Sequence, residues 1–307
     1  MYSEKIVVNK GGKYPLNGML TLPENKEGKY PAVVFVHGSG SSNMDEKVMK
    51  MTPFKDMAEG LAKRGIASIR YDKRSYAHGL KMIREKEITV YNETIEDAIA
   101  ATEMLKKDAR IDVNQVYIVG HSMGAMLAPR IDSEGGNYAG LILMAGTPNT
   151  LDEVMLRQFE EMMEIQKGLV KKVIQKQYDK YKDLFSKMNT LSDEASKKIK
   201  MGGGTTLYYF KEMGEHPVPK YLAECQKPML IMQGEKDFQV KVDKDFKEYQ
   251  NLLKGKSNAT FKLYANLNHA FVPSVYGSIM KANKEYNVEQ HIGEEVIADI
   301  ANWIMNQ

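Results

Sequence analysis

The sequence lacks the cysteines that could cross-link its fold or form a cysteine-rich metal site. It contains one cysteine, Cys225, which excludes an intramolecular disulfide and a cysteine-rich metal site. No cysteine motif surrounds Cys225, so we expect a small, partly buried residue rather than a catalytic thiol. The histidines and acidic residues also lack the spacing of metal ligands, and we therefore predict no metal site. The lack of disulfides fits a reducing compartment.

A large excess of charge of one sign is also absent, and so are long apolar runs. The chain has 307 residues, and its 43 basic and 40 acidic residues leave a formal net charge of +3. This near-balance gives no electrostatic reason to expect nucleic acid or an anionic membrane as a partner. The N-terminus lacks the apolar core of a signal peptide, and no run approaches the roughly 20 apolar residues of a membrane span. We therefore expect a cytoplasmic protein, although a secreted protein that has lost its signal peptide would have the same sequence.

Strand-like and helix-like segments alternate along the chain. Ala32–Val36 is continuously apolar and lies between Pro31 and His37-Gly38, which is typical of a strand buried on both faces of a parallel sheet. A hairpin of Lys5–Val8 with Gly18–Leu22 precedes it. Further strands are predicted at Ile66–Tyr71, Val116–Val119, Leu141–Ala145, Met229–Gln233 and Phe261–Tyr264, and helices at Phe54–Lys63, Thr89–Lys107, Ser122–Ile131, Val242–Leu253 and Glu294–Met305. This order predicts an α/β fold with a doubly wound, mostly parallel sheet.

The segment of residues 149–225 interrupts this alternation. Its apolar residues recur at steps of three and four as far as Met188, which is typical of amphipathic helix. The segment follows the carboxyl end of a strand, where open α/β sheets place their ligand crevice. We therefore interpret it as a helical cap inserted into a core of residues 1–148 and 226–307. The alternative is a helical excursion that only packs on the core.

The sharpest local signal is Gly120-His121-Ser122-Met123-Gly124, which fits the G-x-S-x-G pattern of a nucleophile turn. A predicted strand, Val116–Val119, precedes it, and a predicted helix follows it. The strand must turn abruptly into the helix, which holds the serine in a strained conformation, and small flanking residues avoid clashes in that turn. We therefore predict that Ser122 is an exposed nucleophile; the alternative is an ordinary strand-to-helix turn.

A serine hydroxyl needs a base that takes its proton, and the chain has six histidines. His269 follows the last predicted strand, where this architecture places a base, and we assign it that role. His121 adjoins the serine, so its side chain is expected to point elsewhere, and His37 fits an oxyanion loop. The other three, His78, His216 and His291, lie in polar stretches and are expected at the surface.

The base needs a carboxylate that fixes its tautomer. Asp237 lies just past the strand Met229–Gln233 and between the serine and the histidine in chain order, which is the order of nucleophile-turn enzymes. Glu235 is the nearest competitor. Asp243 and Asp245 fall inside a predicted helix and are expected to face away.

Acyl transfer also requires donors for the developing oxyanion. The run from His37 to Ser42 follows the first parallel strand, and its glycines let backbone N–H groups turn toward a pocket. We predict the N–H groups of Ser39 and Met123 as the donors. The run lacks the spacing of a phosphate-binding loop. We interpret Arg70–Arg74 as a salt-bridged loop that supports this turn, with binding of a substrate carboxylate as the alternative.

With these residues, the chain resembles the α/β-hydrolase superfamily and, within it, the bacterial dienelactone-hydrolase and feruloyl (cinnamoyl) esterase-like enzymes. The stretches that carry the resemblance are Phe35–Gly40, Arg70–Arg74, Gly120–Gly124, Gln233–Asp237 and Leu267–Phe271. The resemblance implies an eight-stranded sheet, a lid inserted after the strand that ends near Ala145, and an acyl-enzyme mechanism without a cofactor. Ser39 stands where cinnamoyl esterases usually have a bulky residue, and the cap is more charged and Met-rich, which leaves the aromatic-acid substrate open.

The resulting hypothesis is a serine hydrolase that cleaves small-molecule carboxylic esters, aromatic or short-chain, with Ser122, His269 and Asp237 as its catalytic triad. Residues expected at the substrate are His37, Gly38, Tyr208, Tyr209 and Phe210. The alternatives are an acyl thioesterase or a small peptidase of the same fold, or a ligand-binding protein that kept the fold without catalysis. The hypothesis is compatible with a homodimer.

Overall fold

A single eight-stranded sheet forms the centre of the protein in this computed structural model, which describes residues 1–24, 28–85 and 88–307. The strands are β1 (Tyr2–Val8), β2 (Leu16–Leu22), β3 (Tyr30–Val36), β4 (Ala67–Tyr71), β5 (Ile111–His121), β6 (Leu141–Met144), β7 (Met229–Gly234) and β8 (Ala259–Tyr264). Their order in the sheet is β1-β2-β4-β3-β5-β6-β7-β8. β2 pairs antiparallel with β1 and β4, and the remaining pairs are parallel. The predicted doubly wound, mostly parallel α/β fold with eight strands is confirmed.

Helices connect the strands along the described part of the chain. They are α1 (Pro53–Ala62), α2 (Arg74–Met82), α3 (Glu96–Lys106), α4 (Met123–Ile131), α5 (Leu151–Ile165), α6 (Gly168–Met188), α7 (Asp193–Ser196), α8 (Leu207–Glu215), α9 (Val218–Glu224), α10 (Lys247–Leu252), α11 (Ala282–Tyr286) and α12 (Glu294–Met305). Short π-helical turns at Tyr91–Ile95, Asp132–Gly136 and Val242–Phe246 adjoin α3, α4 and α10, and a 3₁₀ turn at Ile279–Lys281 precedes α11. Within the described ranges, no helix has the length and apolar character needed to cross a membrane.

The helices cover both faces of the sheet, because successive side chains of a strand point to opposite faces. In β3, Val34 and Val36 belong to the same packed cluster as residues of α3 and α4. Val33 and Phe35 instead pack with α1 and α12. Every residue of β3 is buried, which explains why this strand is continuously apolar rather than alternating.

Two helical regions are absent from the sequence predictions. α2 occupies a stretch that follows the predicted charged loop, and it begins at Arg74, whose buried guanidinium donates to Asp97 of α3 at 2.9 Å. The second region, residues 279–286, lies in the connection after β8. Both are short, and α2 leaves Tyr76 and Leu80 exposed. Tertiary contacts such as that of Arg74, rather than burial of these apolar side chains, therefore stabilise α2, and sequence periodicity does not reveal such contacts.

Residues 149–225, predicted as a cap, form α5 to α9 between β6 and β7. Arg157 of α5 donates to both carboxylate oxygens of Asp245, at 2.8 and 2.7 Å, and the Asp245 side chain is fully buried. Lys241 pairs with Glu161 at 3.0 Å. These contacts anchor α5 on the chain that follows β7. The division of the protein into a core and a separate cap domain stays a prediction.

Replacing Arg157 by methionine tests this anchor. The substitution leaves the buried carboxylate of Asp245 without its cation, so we expect the free energy of unfolding to fall by about 3 kcal/mol. Lys187→Met is the matched control, because it breaks an exposed pair with Asp183 and should change that energy by less than about 1 kcal/mol. Urea unfolding measures both variants, and equal losses would contradict the proposed anchor.

Candidate active site

The predicted site residues follow strands that end at the same edge of the sheet. Parallel strands place their carboxyl ends together, and ligands bind in the crevice outside those ends. Ser122 follows β5, Asp237 follows β7 and His269 follows β8. The register pairs Val36 of β3 with Gly120 of β5, so the loop after β3 starts beside the serine.

Ser122 occupies a strained turn between β5 and α4. Its φ of 54° and ψ of −118° are unusual for a residue with a side chain. The turn is tightly packed: an ideal Cβ on Gly124 would lie 2.1 Å from the carbonyl oxygen of Val36, and one on Gly120 would lie 2.3 Å from the carbonyl oxygen of Gly124. The N–H of Ser122 donates to Met144 in β6 at 2.8 Å. The two glycines of the motif are therefore required by close backbone approach.

Asp237 and His269 form a buried pair. Nδ1 of His269 is 2.7 Å from Oδ2 of Asp237, and the carboxylate side chain is 0% exposed. Oδ2 also accepts from Gln233 at 2.8 Å, and Oδ1 accepts from the N–H groups of Gln239 at 2.7 Å and Val240 at 2.9 Å. Four donors thus fix the carboxylate, and Nε2 is the ring nitrogen of His269 that the pair leaves available to take a proton from a hydroxyl.

The competing carboxylates lie elsewhere. Glu235 and Asp243 are exposed, and Asp245 is buried against Arg157. The geometry therefore brings Asp237, rather than any of these three, to the histidine.

The loop that carries His269 is held from two directions. The N–H of Lys236 donates to the carbonyl of Leu267 at 2.9 Å, which joins this loop to the one that carries Asp237. Asn268 donates to the buried carboxylate of Glu285 at 3.0 Å. Glu285 lies in α11, one of the regions that the sequence did not predict, and no local motif signals its role.

The remaining histidines have other partners. The ring of His121 is 4.9 Å from that of His269 between centroids, and its Nε2 is 2.8 Å from the His269 carbonyl oxygen. His37 is buried against Phe54 and Tyr71. Burial, partly opposed by Glu46, lowers the pKa of His37 to about 4. The polar partners of the others are Pro15 for His78, Tyr221 for His216 and Asp56 for His291.

The loop after β3 is fixed by two buried charged side chains. The N–H of Gly38 donates to Oε1 of Glu46 at 2.9 Å, and the Gly38 carbonyl accepts from Nζ of Lys73 at 2.9 Å. An ideal Cβ on Gly38 would lie 3.1 Å from Cβ of Ser122, so the loop touches the nucleophile turn. Lys73 belongs to Arg70–Arg74, and its contact agrees with the interpretation of that stretch as a support for the loop.

The N–H groups predicted as oxyanion donors lie beside this contact. Ser39 and Met123 both line a cavity that also contains Ser122. Across the described residues, neither N–H has an acceptor. Met123 is also the first residue of α4, where backbone N–H groups have no partner in the helix and the helix dipole is positive.

The cavity has a volume of about 400 Å³ and is walled mainly by apolar side chains. The segment 149–225 contributes Leu151, Val154, Met155, Tyr209 and Phe210, and the region around α2 contributes Met82, Ile83 and Ile88. Glu93 is the one charged residue among the described side chains of the wall. It accepts from the Tyr209 hydroxyl at 2.7 Å and lies 3.6 Å from Nζ of Lys73.

Three residues expected at the substrate do not line this cavity. His37 and Gly38 lie behind the loop, in the contacts described above. Tyr208 packs under Lys197, whose Nζ is 4.9 Å from the ring centroid. Tyr209 and Phe210 of α8 face the cavity, and each residue of a helix is turned about 100° from the one before it, so Tyr208 lies on the side of α8 that is turned away. The expectation of substrate contact therefore matches the positions of Tyr209 and Phe210 only.

An open sheet of this order, with a strained serine after β5 and a histidine–aspartate pair beyond β7 and β8, defines an α/β-hydrolase. Residues 30–273 match the family described as serine aminopeptidase, S33, and the chain belongs to that family.

Known esterases are among the similar proteins. Esterase EstD of Thermotoga maritima is 32% identical over 307 residues, which cover 99% of this chain and 68% of that protein. The structure of Est1E from Butyrivibrio proteoclasticus has a TM-score of 0.62 at 16% identity and covers 99% of both chains. An esterase of Pyrococcus furiosus has a TM-score of 0.58 at 16% identity, over 99% of this chain and 91% of that one. The predicted resemblance to α/β-hydrolase esterases is confirmed.

Gly124→Ala tests the packing of the serine turn. The added methyl group would meet the β3 backbone at Val36, which cannot move without disturbing the sheet, so we expect a loss of at least about 3 kcal/mol in the free energy of unfolding. Gly214→Ala is the matched control, because Gly214 is exposed in α8 and an added Cβ meets nothing within 4 Å. The control should be neutral or stabilising by up to about 1 kcal/mol. A tolerated Gly124→Ala in thermal or urea unfolding would refute the close approach.

Proposed function

We propose that this protein hydrolyses carboxylic esters through an acyl-enzyme, with Ser122 as nucleophile, His269 as general base and Asp237 as the carboxylate that orients the base. The observation that carries the proposal is the buried His269–Asp237 pair, whose imidazole lies 4.9 Å between ring centroids from that of His121, the residue before the strained serine that lines the cavity. A serine in such a turn presents its hydroxyl at the end of a helix, and a paired histidine activates it.

The first half of the reaction transfers the acyl group to the enzyme. Nε2 of His269 takes the proton of Ser122 Oγ, which forms a bond to the ester carbonyl carbon. The negative charge that develops on the carbonyl oxygen is stabilised by the N–H groups of Ser39 and Met123. The tetrahedral intermediate then breaks its bond to the alcohol oxygen, which leaves with the proton from His269.

The second half returns the enzyme to its starting state. Water replaces the alcohol, and His269 takes one of its protons as the oxygen attacks the acyl carbon. The bond between the acyl carbon and Ser122 Oγ breaks, and Oγ recovers the proton from His269. Asp237 stays ionised throughout and stabilises the imidazolium that forms in each half.

The cavity wall favours an uncharged substrate with an apolar part. Met155, Tyr209 and Phe210 offer it apolar and aromatic contacts. Glu93 does not offer a free negative charge, because Lys73 and the Tyr209 hydroxyl already face it. A free substrate ammonium therefore finds no unpaired anion among the described residues of the wall, which supports an ester over an aminopeptidase substrate.

The family description makes a peptidase the second candidate. A panel of substrates separates the two: p-nitrophenyl acetate and butyrate, a feruloyl ester, and an aminoacyl p-nitroanilide. A structure of Est1E contains ferulic acid, with a TM-score of 0.59 at 15% identity, which makes the feruloyl ester an informative member. We expect ester turnover to exceed anilide turnover, and the reverse order would favour the peptidase.

Ser122→Ala should abolish hydrolysis of p-nitrophenyl acetate, because no hydroxyl remains to form the acyl-enzyme. We expect kcat to fall by about 10⁴-fold or more, to the rate left by binding and oxyanion contacts alone. Stopped or continuous absorbance assays measure the loss, and circular dichroism verifies the fold. Turnover within tenfold of the wild type would refute the nucleophile.

Asp237→Asn should lower kcat by about 10³- to 10⁴-fold, because an amide no longer stabilises the imidazolium or fixes the base's tautomer. Glu235→Gln is the matched control: Glu235 is two residues away and exposed, so its variant should keep the wild-type kcat. If the two variants lose activity equally, the assignment of the carboxylate is wrong.

A further inference from the structure

His121, the residue before the serine, lies between two oxygen atoms. Its Nε2 is 2.8 Å from the carbonyl oxygen of His269, and its Nδ1 is 3.0 Å from Oε2 of Glu46. The side chains of His121 and Glu46 are 12% and 6% exposed. The second contact lacks the alignment of a hydrogen bond, so charge rather than direction makes it favourable.

A neutral imidazole cannot satisfy both oxygens, because it carries only one N–H. With the proton on Nε2, the lone pair of Nδ1 lies beside the carboxylate of Glu46. With the proton on Nδ1, the lone pair of Nε2 faces the carbonyl oxygen of His269. Only the imidazolium presents an N–H to the carbonyl and a positive charge to the carboxylate.

The charges that face His121 favour this cation. Burial disfavours it, but Glu46, the carbonyl of His269 and the carboxylate of Asp237 outweigh burial and raise the pKa of His121 above its ordinary value. His37 adds no positive charge near neutral pH, because its own pKa is about 4, whereas His269, whose ring lies 4.9 Å away, opposes the cation whenever it holds the transferred proton. The net field therefore favours the charged ring over the neutral one.

Glu46 extends this contact to the loop after β3. Its Oε1 accepts the N–H of Gly38 at 2.9 Å, and its backbone is held in the left-handed region at a φ of 50°. On the other side of Gly38, Lys73 donates to the carbonyl at 2.9 Å. A continuous path of buried polar contacts thus joins the loop of the base to the oxyanion loop through His121 and Glu46.

We propose that His121 is a positioning residue. As an imidazolium, it holds the loop of His269 and the loop of Ser39 in fixed positions on either side of Ser122. The proposal rests on the function proposed above. His121 gives no proton to the reaction and touches no reacting atom. Its charge sets the positions of the base and of the oxyanion donors.

His121→Gln and His121→Asn test the charge. The amide nitrogen of glutamine approximates Nε2 and that of asparagine approximates Nδ1, so each variant retains one donor and neither carries a charge. Small displacements of catalytic groups cost up to about 100-fold, and we expect kcat for p-nitrophenyl acetate to fall by about 10- to 100-fold with KM changed less than about twofold. The melting temperature and circular dichroism show whether each variant is folded.

The pH profile distinguishes positioning from general support of the fold. In the wild type, kcat should decline as the pH rises through the pKa of His121, because the ring then loses its charge. In Glu46→Gln, the amide oxygen can still accept the N–H of Gly38, but the counter-charge is gone. The midpoint of the alkaline decline should therefore move to lower pH, and the His121 variants should lose this decline.

His291→Gln is the matched control. His291 also pairs with a carboxylate, Asp56, at 3.1 Å, but its side chain is 76% exposed. We expect it to keep the wild-type kcat and pH profile. A His121→Gln variant with kcat within twofold of the wild type, or a Glu46→Gln variant with an unchanged alkaline midpoint, would overturn the proposal.

A spectroscopic reading separates failure of this inference from failure of the proposed function. In protein labelled with ¹⁵N-histidine, the His121 resonances are identified by their loss in His121→Gln, and their shifts report the charge of the ring without any substrate. We expect an imidazolium at pH 7.5, and a neutral ring there overturns the inference. If His121 is charged but the protein hydrolyses no ester, the proposed function is refuted. The catalytic role of the loop positions that His121 holds is then refuted with it.

Discussion

The close contact between the serine turn and β3 is the constraint on which the rest of the site depends. Ser122 keeps a strained backbone because Gly124 lies against the carbonyl oxygen of Val36, with no space for a side chain between them. β3 continues directly into Gly38, which touches Ser122 in turn. One backbone contact thus fixes Ser122 and the loop that faces it, and packing against the central strand β3 maintains the strain.

Two buried charged side chains position the loop after β3. Glu46 and Lys73 hold the two sides of Gly38, and each is almost fully removed from water. Replacing a buried ion pair by apolar residues is often neutral or stabilising, so such groups are weak evidence of a stability role. The same reasoning applies to the histidines beside the turn: His121 and His269 have the same side chain, and their neighbours give them different tasks.

The sequence predicted the features that depend on local pattern. β3 and the Val116–Val119 part of β5 are apolar runs, and the G-x-S-x-G motif lies between a strand and a helix as required, so the fold and the position of Ser122 could be inferred from short segments. The features that could not be inferred depend on contacts between distant segments. Nothing around Glu46 signals that it reaches Gly38, and α2 leaves its apolar residues Tyr76 and Leu80 exposed although it walls the cavity. The rotation of α8, which turns Tyr209 and Phe210 toward the cavity and Tyr208 away from it, is set by packing that the sequence does not display.

In the proposed mechanism, Ser122, His269 and the N–H groups of Ser39 and Met123 act on one substrate carbonyl group. A crystal structure of the protein after reaction with a fluorophosphonate tests it most directly, because the phosphorus mimics the tetrahedral centre. We predict phosphorus bonded to Ser122 Oγ, a phosphonyl oxygen within hydrogen-bonding distance of both N–H groups, and Nε2 of His269 beside the adduct. An unmodified Ser122 in protein exposed to excess reagent, or an adduct whose oxygen points away from both N–H groups, would contradict this mechanism.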